Sequence, residues 1–94
     1  MRDYQELDEK TLSVALIRLT NSKISYSALK REAEEELEEL KYHERIAYEK
    51  SQSSYGMERI NKEKEKFQIV INYLREKLAV VDKELEEVQK NLIS

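Results

Sequence analysis

Ninety-four residues with no proline, no cysteine and a single glycine leave few places for a sharp turn, which excludes a many-stranded fold, a loop-rich α/β fold and a disulfide framework. Seventeen bases against twenty acids give a net charge of −3, too weak a basic field for wholesale nucleic-acid coating. Charged and hydrophobic residues each make up 39%, and the apolar ones recur regularly, so the chain is predicted to be one all-α domain over 1–94 built from few, long helices.

The chain opens Met1-Arg2-Asp3-Tyr4-Gln5-Glu6, without a basic-then-apolar leader. Its longest apolar run, Val14-Ala15-Leu16-Ile17, is far short of a membrane span. A cytoplasmic location with no membrane partner is the resulting expectation.

A first arm is predicted over about 6–50. Steps of four and three connect Leu12, Leu16, Leu19, Lys23, Tyr26, Lys30, Ala33, Leu37, Leu40, Glu44, Ala47 and Ser51 into one seam, interrupted by polar members. Thr20 to Ser25 are poor helix formers and good caps. They open an alternative, a short separate N-terminal helix over about 6–20 followed by 26–50. One long arm is the favoured reading. Charge switches sharply along it: Lys10 to Arg31 holds five bases and no acid, and Glu32 to Glu44 holds seven acids and one base. Most of that acid block reads as a solvated helix face.

The basic stretch also reads as helix, turn, helix, with Lys23, Lys30 and Arg31 as candidate nucleic-acid contacts. Against that reading, its turn lacks glycine, no third helix precedes it, and the acid block follows directly. Arg18-Leu19 and Lys23-Ile24-Ser25-Tyr26, with the later Tyr55 and Leu78, make the chain faintly similar to tubulin-binding cofactor A, a family of helical-bundle tubulin chaperones. The likeness covers scattered positions. The family's third helix and its basic-glutamine run after the turn have no counterpart, so no residue role is carried over.

The turn is predicted at 51–56, where serines offer caps and Gly56 can take the left-handed position that closes a helix. The second arm, 57–93, has a stricter seam: Met57, Ile60, Lys64, Phe67, Ile71, Leu74, Leu78, Val81, Leu85, Val88 and Leu92. Only Lys64 among these is polar. The predicted fold is therefore a long antiparallel helical hairpin of coiled-coil type. Folding at the turn sets Ala47 against Ile60, Leu40 against Phe67, Leu37 against Ile71 and Leu19 against Val88. It also sets Glu44 against Lys64, a polar pair of opposite charge able to define register. Lys23 and Lys30 fall opposite Leu85 and Leu78, near Glu84 and Glu76, which predicts a looser far end.

More apolar residues are present than one seam uses. Ile69, Val70, Tyr73 and Val80 flank the second seam, and Leu29, with Ile24 and Ala28 nearby, flanks the first. Such stripes predict contact with another helix: a homodimer forming a bundle, which is favoured, or a partner protein.

No constellation points to catalysis. The single His43 has Glu39 one turn away, whereas a zinc site takes three or four ligands. No glycine-rich phosphate loop exists, and Ser53 and Ser54 have no base beside them. The chain is therefore expected to be a non-enzyme without metal or cofactor. The expected function is a protein–protein interaction or assembly module such as an adaptor, small chaperone or regulator. The alternative is a small DNA-binding regulator with a helical dimerisation arm.

Overall fold

The computed structural model describes residues 7–50 and 54–93. Two helices, α1 (Glu9–Glu49, 41 residues) and α2 (Ser54–Ile93, 40 residues), lie against each other as a hairpin measuring 63 × 18 × 15 Å. No strand occurs among the described residues, and none of their helices is long and apolar enough to cross a membrane. The predicted arm start at residue 6 and the turn residues 51–53 lie outside the described residues.

α1 begins at an aspartate cap. Asp8 has extended backbone, and its Oδ1 accepts a hydrogen bond from the Thr11 backbone N–H at 2.8 Å. A carboxylate at this position satisfies a donor that the helix leaves free and faces the positive end of its dipole. Hydrogen bonds from the Thr11 side chain and backbone N–H hold the Asp8 carboxyl below its ordinary value. A depressed carboxyl favours the folded turn above the ordinary aspartate range, and that contribution disappears as pH falls through the folded value. We expect the Thr11 amide resonance to shift with pH at a midpoint below that of a free aspartate. The Asp8→Asn variant should flatten that titration; an unchanged curve would show that the cap is not formed.

α1 then runs without interruption through Thr20–Ser25. The predicted break, and with it the separate N-terminal helix and the helix-turn-helix geometry, are not formed. Local propensity there is weak and five of the six residues are exposed, so the half-buried seam residues Leu19 and Tyr26 on either side anchor the helix across it. Thr20 Oγ1 donates to the Leu16 carbonyl at 2.7 Å, which keeps its hydroxyl satisfied inside the helix. Lys23 Nζ reaches Asp82 of α2 at 2.8 Å and ties the arms across this stretch.

Gly56 does not close α1. The helix ends at Lys50, at φ −89° and ψ 6°, with its N–H donating to the Ile46 carbonyl at 3.0 Å. That bridge-region geometry is open to residues with side chains, so no glycine is required. Gly56 instead sits in the first turn of α2.

Among the described residues the buried ones are Leu12, Ala33, Leu37, Ala47, Ile71, Leu74, Val81, Leu85 and Val88, all of them predicted seam positions. Leu37 and Ile71 share one cluster with Ala33, and Phe67 packs beside it. Val88, fully buried, packs with Leu12, and Leu7, Leu16, Leu19 and Leu92 close around the pair. The far end is thus well packed and not the looser one. Its lysines cause no gap: Lys23 sits at the exposed rim on Asp82, and Lys30 turns along its own helix to Glu34 at 3.4 Å. The turn end holds the half-buried Leu40, Ile60, Glu44 and Lys64.

Candidate interaction surface

Two sides flank the seam of an antiparallel hairpin, and they differ. One side gathers polar groups, with Lys41, Asn61 and Gln68 lining a shallow groove beside Lys64. The other gathers apolar ones. There Leu29 of α1 and Val70 of α2 line a second open groove, with Ala33 and Phe67 at its floor and Glu32, Glu35 and Glu36 on its rim.

From Val70 the apolar surface continues along α2. Tyr73 follows Val70 by three residues and Val80 follows Tyr73 by seven, so all three share one stripe; Ile69 lies one turn before Tyr73 at its outer edge. Every predicted contact residue is solvent-exposed in the single chain: Leu29 51%, Ile69 68%, Val70 43%, Tyr73 55% and Val80 55%. Lys77 Nζ lies 5.4 Å from the centre of the Tyr73 ring, which holds the phenol along the helix surface. The patch is centred on the rod: Leu29 is the middle residue of α1, and Tyr73 is at the middle of α2.

The register pair forms as predicted. Lys64 Nζ contacts Glu44 Oε2 at 2.7 Å, both side chains being partly buried. The three bases considered for nucleic acid are not gathered on one free face. Lys23 and Lys30 are seam residues engaged with Asp82 and Glu34, and Arg31 is exposed beside them.

His43 Nε2 is 3.7 Å from Glu39 Oε1, with both side chains more than half exposed. No group of three or more histidine, cysteine or acidic side chains able to hold a metal occurs among the described residues. One exposed apolar stripe was not grouped by sequence reasoning. Val14, Ile17 and Ile24 lie on the outer side of α1, and helical spacing puts Ile24 with Ile17, not with Leu29. The separation of Ile17 and Ile24 by one heptad was the available signal; the suspected break at Thr20–Ser25 hid it.

No family model, curated protein or solved structure matches the chain.

Proposed function

We propose that the chain is a non-catalytic protein-interaction or assembly module that acts through the face formed by Leu29, Ile69, Val70, Tyr73 and Val80. One observation supports this above the others: large apolar side chains from both helices stay in water around one groove at the middle of a rigid rod. Covering a large apolar side chain is worth about 1.5–3 kcal/mol, so several together favour association with a second surface. Tyr73 suits such a face because its ring gives apolar area and its hydroxyl tolerates a wet rim. The open grooves provide no water-excluding enclosure for chemistry.

The test is the Val70→Glu, Tyr73→Glu double variant. Apparent mass is measured for purified protein and for tagged protein in an extract of its host. The parent should run above the 11.2 kDa of one chain in at least one setting. The variant should lose that excess while keeping its helicity, since both positions are exposed. If mass and helicity both match the parent everywhere, the face is not an interface.

A DNA-binding role draws no support from the geometry, because the helix-turn-helix is absent and Lys23 and Lys30 are paired with carboxylates. Binding to random duplex DNA at low salt, falling steeply as salt rises, would be the result that revives it.

A further inference from the structure

We infer that the surface covering this face is a second copy of the chain, laid antiparallel about a two-fold axis that crosses the rod beside Leu29 and Tyr73. The inference rests on the interface reading above and adds the partner and its direction.

Three observations lead to it. First, the patch sits at the midpoint of both helices. A two-fold axis perpendicular to the rod places one patch on itself, and only a patch at the midpoint then lets two antiparallel rods overlap along their whole length. Second, one side of the rod is of the size of a standard interface. A rod 63 Å long and 15 Å across presents a side of roughly 900 Å², comparable to the ~800 Å² that each partner contributes to a standard interface.

Third, charge sets the direction. The half of the rod nearest the turn, 30–50 with 54–73, has nine bases and eleven acids, a net of −2. The far half, 7–29 with 74–93, has seven bases and seven acids, a net of zero. Parallel copies would set each half on its own like. Antiparallel copies set the negative half of one rod on the neutral half of the other. The contrast is sharpest within α1, where 9–29 has three bases and one acid and 30–49 has four bases and eight acids. With α1 stacked on the second copy's α1, Glu36 faces the second copy's Ser22, and Glu39 approaches its Arg18. Both relations repeat by symmetry. Charge juxtaposition of this kind selects arrangement more than it adds affinity.

The absence of native cysteine makes the test direct. Ser22→Cys and Glu36→Cys substitute positions that lie two helical turns either side of Leu29. The single variants are purified separately, mixed, allowed to exchange and oxidised. Disulfide-linked dimers should form across the mixture, at least tenfold more than within either variant alone. Dimers formed within each variant alone would overturn the antiparallel arrangement. A purified chain that stays at single-chain mass to about 100 µM would overturn self-pairing itself. If it does so while the tagged parent, but not Val70→Glu, Tyr73→Glu, runs large in host extract, the interface reading stands and the occupant is a different protein.

Discussion

Ile71→Asp should abolish the hairpin at 25 °C, whereas Asn72→Asp, one residue along, should leave it intact. Ile71 is 2% exposed and packs with Leu37 and Ala33 where the two arms meet at mid-length. A carboxylate there loses its water and finds no partner in the cluster, at a cost of several kcal/mol. A small domain has only about 5–15 kcal/mol of stability, and a two-layer hairpin sits towards the bottom of that range. Each helix alone is polar over most of its surface, so losing the seam costs the helicity as well. Asn72 is exposed, and a surface change of this type is usually within about 0.5 kcal/mol. Far-ultraviolet circular dichroism with urea titration reads both. An Ile71→Asp protein with parental helicity and midpoint would mean that this contact does not hold the arms together.

The second large effect is expected at the ion pair. Lys64→Leu alone should destabilise by about 1–2 kcal/mol, because it leaves Glu44 facing an apolar seam without its partner. Glu44→Leu together with Lys64→Leu should recover that loss and exceed the parent by about 1 kcal/mol, since desolvating two charges offsets much of their attraction. The side chains remain 30% and 27% exposed, which keeps these figures below those of fully buried pairs. The double variant should also relax the register, because nothing polar then penalises sliding one arm along the other. A double variant weaker than either single variant would show that the pair stabilises the hairpin outright.

The sequence was legible where one pattern ran unopposed. The three-and-four alternation from Met57 to Leu92 located α2, and the same alternation from Leu12 to Ala47 located α1. Every buried residue among the described ones lies on these two seams. Glu44 and Lys64 stood out because they are the charged seam residues nearest the turn on each arm, and the structure brings them to 2.7 Å. Legibility failed where local chemistry and tertiary packing disagreed. Thr20–Ser25 has the composition of a break, yet the seam residues Leu19 and Tyr26 on either side are half-buried and the Thr20 hydroxyl is satisfied within the helix, so α1 continues. Gly56 looked like the closing residue because glycine is permissive, but Lys50 closes α1 in ordinary backbone geometry. The far end looked loose because seam lysines were set against leucines. Long stems can leave a seam at its rim, and Leu12, Leu16 and Leu19 then crowd onto Val88. The side face was legible as surplus apolar residues beside a seam. Its position at the middle of the rod emerged only when both helix ends were known.

The most direct test of the account is thiol accessibility at the mid-rod face as protein concentration rises. Val80→Cys places the only thiol of the chain within the apolar stripe, and Glu65→Cys places one on an exposed position away from it. Maleimide labelling at Val80→Cys should slow severalfold between about 1 and 100 µM protein, crossing the range where micromolar association saturates, while Glu65→Cys reacts at a constant rate. Equal and unchanging rates at both positions across that range would contradict the claim that one hairpin covers the apolar side of another.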